Sequence, residues 1–333
     1  MLLRHRRTGH TVVSKQVPVD GMAPQELAKV ENEVRILSAL SHAHIIAYRC
    51  SFQHDAKLHI VMEYAARGSL EGAISARRED NSAFALLTLL GWLQQLGGAL
   101  QHMHAKQILH RDLKAANVFL ADDGSADGAI KLGDFGISRA LSSQTNLAET
   151  VCGTPFYLSP ELIRSAPYRE GSDVWALGVL LYELLTLKWP FDGPNIAVLA
   201  LNISRGAYDE AALADSPYPH WVQRLASREA LLHADPARRL TLPQLLAAIC
   251  GNTDGADDEA LLGLLAAKAS GPSLLRVQKS LSRINQGGSL SLLDEATQGR
   301  LEEESQRGAE QEQSRAQESV PALAPAPAPV YTG

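Results

Sequence analysis

Residues 172–187, SDVWALGVLLYELLTL, constrain the fold most, because a helix through them carries apolar side chains on nearly every side. Such a helix cannot lie on a surface and needs a lobe large enough to enclose it. With 333 residues, 45% of them hydrophobic, the chain can supply that core. A second apolar helix pattern runs over 83–106. Between the two lie short strand-like pieces at 117–120 and 130–132, split by the turn-rich ADDGSADGA. The stretch from Gly68 to Cys250 therefore reads as mainly helical.

The segment 1–65 reads differently. TVVSKQVPV (11–19) is β-branched and alternates around Lys15, with Thr8-Gly9 as a turn and 2–6 as a short strand to pair with it. From Pro24 to Leu40 the residues Leu27, Val30, Val34, Leu37 and Leu40 recur at helical spacing, with Glu33 close to that face. Segments 48–53 and 57–63 read as further strands, giving a small sheet with one helix. Beyond 251, residues 252–285 allow a helical extension. Residues 286–333, with Gly287-Gly288, a Glu/Gln/Arg run and PALAPAPAPV, cannot bury a core and read as a disordered tail.

The formal charge of -6 is concentrated at the end, where residues 252–333 hold 12 acidic and 7 basic side chains, a net -5. The near-neutral body gives no electrostatic footprint for nucleic acid, and no basic amphipathic stretch argues for a membrane surface. Cys50, Cys152 and Cys250 are far apart and lack CxxC spacing, which points to a reducing compartment without a disulfide or zinc framework. With no apolar run long enough to span a bilayer and no signal-peptide pattern, the expected location is cytoplasmic, with nuclear or cytoskeletal association open.

The chemistry is carried by His110-Arg111-Asp112-Leu113-Lys114-Ala115-Ala116-Asn117, followed beyond the two short strand-like pieces by Asp134-Phe135-Gly136. Either tripeptide alone arises by chance, and a lysine after a loop aspartate is ordinarily a solvated surface charge. Their order and spacing, with strands on either side, make the protein kinase catalytic set. Transfer of a phosphoryl group needs a base for the attacking hydroxyl, hard oxygens to hold magnesium, and cations to offset charge. Asp112 would orient and accept the hydroxyl proton, Lys114 would steady the phosphoryl group, and Asn117 with Asp134 would hold Mg²⁺. Lys15 on its strand would pair with Glu33 on the helix that follows, and so be placed on the α- and β-phosphates of ATP.

With Lys131-Leu132-Gly133-Asp134-Phe135-Gly136, ETVCGTPFYLSPE and WALGVLLYELLTLKWPF added, the chain resembles eukaryotic protein kinases over residues 1–251, and among them the NIMA-related kinases. The resemblance implies an α+β, two-lobed fold, with a β-rich N-lobe over 1–65 and a mainly helical C-lobe over 66–251. It implies a serine/threonine kinase that uses ATP and Mg²⁺ on protein substrates. It also places Val13, Met62 before the hinge, Glu63 to Ala65 as the hinge, and Phe119 on the pocket floor around the nucleotide. Lys114 with Thr154 resembles the serine/threonine pattern, Thr154 shaping the site for a short hydroxyl. Thr150 is the expected activating phosphosite, answered by Arg111 and Arg139. Asp173 is expected to brace the catalytic-loop backbone, and Arg239 to pair with Glu161. Association with microtubule-organising structures, cilia or flagella is implied by the resemblance alone. The GTPFYLSPE segment disfavours a small-molecule kinase.

One departure stands out. The family's GxGxxG loop should precede Lys15, yet the stretch from Met1 to Lys15 is short and contains no such motif. About twenty family residues, including the first strand of the sheet, are thus missing from the pattern, and loss of that loop would lower nucleotide affinity and rate. The two readings are a start at the wrong methionine, or a catalytically impaired binding scaffold. Retention of every downstream catalytic residue favours the first.

Overall fold

The computed structural model describes residues 1–6, 9–134 and 155–252, with the backbone alone at Lys29, Glu33 and Asn252. The first lobe is a four-stranded antiparallel sheet of β1 (Leu2–Arg4), β2 (Thr11–Pro18), β3 (Tyr48–His54) and β4 (Lys57–Glu63), in the order β1-β2-β4-β3. The expected strand at 2–6 ends at Arg4, and of the Thr8-Gly9 turn only Gly9 is described, at φ 73°. Asp55 and Ala56 between β3 and β4 both have left-handed backbone, φ 46° and 56°, which matches the right-handed twist of a two-residue hairpin. Helix α1 (Pro24–Ala39) opens with proline at its first turn, buries Leu37, and leaves Val30 and Val34 packed against the core. The expected helix at 24–40 and the strands at 48–53 and 57–63 match the structure to within one residue.

The second lobe contains α2 (Leu70–Glu79), α3 (Leu86–Ala105), the hairpin of β5 (Val118–Ala121) and β6 (Ala129–Leu132), and six further helices: α4 (Pro160–Ile163), α5 (Glu170–Thr186), α6 (Ile196–Arg205), α7 (Glu210–Ala214), α8 (His220–Leu225) and α9 (Leu242–Asn252). Every residue of α5 from Ser172 to Leu185 is buried, as its all-round apolar pattern demands. Leu231 packs so close that a Cβ on Gly178 would stand 2.8 Å from its Cβ. Trp175 stacks on Phe191 at 5.4 Å. Burying one leucine-sized side chain contributes about 1.5–3 kcal/mol, so α5 is the main apolar anchor of this lobe. No helix among the described residues is long and apolar enough to cross a membrane. The expected extension and tail, apart from Asn252, lie outside the described residues.

A buried ion pair closes the lobe. Arg239, 1% exposed, donates from both terminal nitrogens to the two carboxylate oxygens of Glu161, at 2.8 and 2.7 Å, and its guanidinium lies 4.9 Å from the Trp175 ring. Burial alone would raise the Glu161 carboxyl. The hydrogen bonds and charge of Arg239, with the Ser172 hydroxyl at 2.7 Å, outweigh it and hold the group below its ordinary value. This is the Arg239–Glu161 pairing expected from the sequence. Replacing one member leaves the other charge buried and unpaired, so Arg239→Met is expected to cost about 3–5 kcal/mol of unfolding free energy, measured by urea titration beside the parent chain.

Candidate active site

Between the sheet and the helical lobe lies a cleft of ≈ 600 Å³. Val13, Lys15, Met62, Glu63, Ala65, Phe119 and Asp134, the seven residues expected around a nucleotide, all line it. β2 and β4 bring Val13 opposite Met62 and Lys15 opposite Ile60. β5 presents Phe119 from below, in register with Lys131 of β6. The floor is tight at Gly133, where a Cβ would come within 2.9 Å of the Ile46 side chain and 3.0 Å of the Phe119 ring.

The loop between α3 and β5 is organised from beneath by Asp173 at the start of α5. This carboxylate is fully buried and accepts the backbone N–H of His110 at 3.0 Å and of Arg111 at 3.1 Å. Tyr168 donates its hydroxyl at 2.5 Å, and His104 Nε2 lies at 2.7 Å. Burial pushes Asp173 up, but these donors and the nearby imidazoles win and hold its carboxyl below the ordinary value. Arg111 takes left-handed backbone, φ 67°, which lets both N–H groups reach one side chain. Asp173 thus braces the loop as the sequence implies. The backbone thereby holds Asp112 beside Asn117, which in turn reaches the carbonyl of the cleft-lining Asp134.

There Lys114 Nζ lies 2.9 Å from Asp112 Oδ2. The Asn117 amide nitrogen donates to the same Oδ2 at 2.9 Å, to the Asp112 carbonyl at 2.8 Å, and to the Asp134 carbonyl at 3.4 Å. With its nitrogen so engaged, Asn117 keeps its side-chain oxygen for another partner. Lys15 Nζ stands 3.5 Å from Asp134 Oδ1, and both side chains are about half exposed. Asp134 has left-handed backbone, φ 44°. The structure therefore brings Asp112, Lys114, Asn117, Asp134 and Lys15 together. Glu33 lies on α1, but its side chain is outside the described residues, as are Phe135, Gly136, Thr150 and Thr154 in full.

Three residues that the sequence pattern does not single out are bonded to this loop. The Tyr157 hydroxyl donates to Glu183 at 2.5 Å and accepts the backbone N–H of Ala115, next to Lys114, at 3.3 Å. Arg78 completes the chain at 2.9 Å from Glu183. Burial, with Glu183 beside it, pushes the Tyr157 phenol well above its usual range, so it stays a donor. Tyr157 stands inside the GTPFYLSPE string, but no spacing rule links it to a glutamate on α5.

Comparison with known proteins agrees with this geometry. The protein kinase domain family model matches residues 1–249, and the chain belongs to the protein kinase family. Within that family it groups with the NIMA-related kinases. It is 41% identical over 247 residues to the probable serine/threonine-protein kinase nek3 of Dictyostelium discoideum, covering 74% of this chain and 22% of that protein. It is 41% identical over 250 residues to the serine/threonine-protein kinase Nek8 of Danio rerio, covering 75% and 34%. Nek1 of Mus musculus is 38% identical over 227 residues, covering 68% and 18%. The chain thus spans between 18% and 34% of the length of these relatives. Among solved structures, Rad53 1–466 in complex with AMP-PNP matches with a TM-score of 0.62 at 28% identity, over 74% of this chain and 60% of that one.

His110 is fully buried, with Nε2 3.2 Å from the Gly133 carbonyl and Nδ1 accepting the Asp112 N–H at 3.3 Å. Burial lowers its pKa more than Asp173 and the other nearby acceptors raise it. The unfolded chain takes up a proton near 6.5 that the folded site refuses, so stability is fully present above that value and falls as pH drops below it. Urea midpoints measured from about pH 7.5 to about pH 5.5 should decline in the parent chain, and more shallowly in His110→Phe.

Proposed function

We propose that this chain transfers the γ-phosphoryl group of ATP to serine or threonine hydroxyls of protein substrates. One observation carries the reading: Asp112, Lys114 and Asn117 form a single bonded cluster that reaches the Asp134 backbone, at the mouth of the cleft lined by the nucleotide-site residues. Membership of the protein kinase family and likeness to serine/threonine kinases support it, as does the fold's similarity to a kinase solved with AMP-PNP.

The base and ribose would lie against Val13, Met62 and Phe119, with backbone groups of Glu63 and Ala65 taking the adenine edge. Lys15, already directed at Asp134, would lie along the α- and β-phosphates. No three-ligand histidine, cysteine or carboxylate cage exists among the described residues. The Asp134 carboxylate and the Asn117 side-chain oxygen are hard oxygen donors of the kind Mg²⁺ prefers, and would hold it against the phosphates. Such an ion supplies neutralisation of the phosphate charge when bound. Asp112 would orient the substrate hydroxyl and accept its proton, while Lys114 would offset charge on the transferring group. Thr154 is proposed to favour a short hydroxyl substrate and Thr150 to be the activating phosphosite, both on sequence grounds. The kinase domain is taken as 1–251, with 252–333 outside it.

Labelled γ-phosphate should enter a generic Ser/Thr protein substrate with this chain. Asp112→Asn should reduce the rate by about 10²–10⁴-fold, the usual contribution of a positioned base, while the urea midpoint stays close to the parent's. Lys15→Met should raise the KM for ATP as well. Incorporation that survives both substitutions would exclude this site, and none from the parent chain would leave a binding scaffold.

A further inference from the structure

The carboxylate of Glu63, the last residue of β4, is held by partners on two other segments. One oxygen lies 2.8 Å from Lys131 Nζ and the other accepts the backbone N–H of Ala47 at 3.0 Å, while Glu63's own N–H donates to the Ala47 carbonyl at 2.9 Å. Both side chains are largely covered, 21% exposed for Glu63 and 17% for Lys131. Lys131 sits on β6, three residues before Asp134. The same strand is stitched to the segment before Ala47: Ile46 N–H donates to the Leu132 carbonyl at 2.8 Å, and Leu132 N–H to the His44 carbonyl at 2.9 Å. The bonds close a ring, from Glu63 to Lys131, along β6 to Leu132, across to Ile46, and through Ala47 back to Glu63.

This ring joins the strand that ends at the hinge to the strand that delivers Asp134. On the nucleotide-transfer reading, on which this inference rests, those are the two ends of one bound ATP, the base and the metal-bound phosphates. We propose that Glu63 and Lys131 are positioning residues that set the spacing between the hinge and Asp134, and so tune nucleotide affinity. An exposed ion pair would contribute little. Here the carboxylate is shared between two donors in a largely covered place, so removing either charge leaves the other uncompensated and the ring open. Lys131 also offsets the Glu63 charge beside a cleft that has to accept phosphates.

The test uses the full chain and a fluorescent N-methylanthraniloyl ATP with magnesium, read as Kd by titration, together with steady-state kinetics. Glu63→Gln keeps an acceptor for Ala47, and Lys131→Met keeps the aliphatic stem, so both preserve packing. Each should weaken nucleotide binding about five- to tenfold, raising the KM for ATP with kcat changed much less. The double variant should be no weaker than the worse single, because both open the same ring. Lys131→Arg should bind like the parent. Unchanged Kd in both singles, additive losses in the double, or a Lys131→Arg as weak as Lys131→Met would overturn the inference and leave the kinase reading intact. A parent chain that binds no nucleotide would overturn both.

Discussion

A single buried carboxylate organises the site. Asp173 carries a charge where water cannot reach it, and such a charge is tolerable only when donors surround it. Four do: two backbone N–H groups of the catalytic loop, a tyrosine hydroxyl and a histidine ring. Because Asp173 belongs to the helix that the whole lobe encloses, the loop is fastened to an element buried on every side. The left-handed turn at Arg111 is the conformational cost of that fastening, offset by two charge-assisted bonds. Asp112 then stands beside Lys114 and Asn117 because its two predecessors are held from below.

Much of this was legible in the residues. The all-round apolar pattern of 172–187 dictated burial, and the alternation around Lys15 dictated a strand. The HRD and DFG spacing assigned Asp112, Asn117 and Asp134 to one site. Side-chain partners were less accessible. Lys131 reads as an ordinary strand lysine, and Glu63 as a hinge residue that matters for its backbone; only the β4 and β6 geometry makes them neighbours. Tyr157 and Glu183 sit 26 residues apart in different elements, and periodicity within one element says nothing about such pairs. Lys15 illustrates the limit from the other side, since the strand gave its position but the fold decides that Asp134 lies within its reach.

The two lobes meet through small residues and short bonds as well as through apolar packing. Gly133 has no side chain where Ile46 and Phe119 converge, which lets the segment before β3 lie directly on the end of β6. The His110 ring bonds the Gly133 carbonyl, and Gly133 N–H bonds Asn117. The sheet, the loop that carries Asp112 and the strand that precedes Asp134 are therefore tied within a few residues of one another, and a shift in one is felt by the others.

The enclosure of α5 has a consequence for biosynthesis. A helix with no solvent-facing side is safe only once its covers exist, and several of them come late: Gly178 packs on Leu231, and Trp175 lies under Arg239. While a ribosome adds those about fifty residues, a helix that is buried on every side in the finished lobe has left the exit tunnel without its partners. Slowed translation in that interval would prolong the exposure of this apolar surface and promote aggregation.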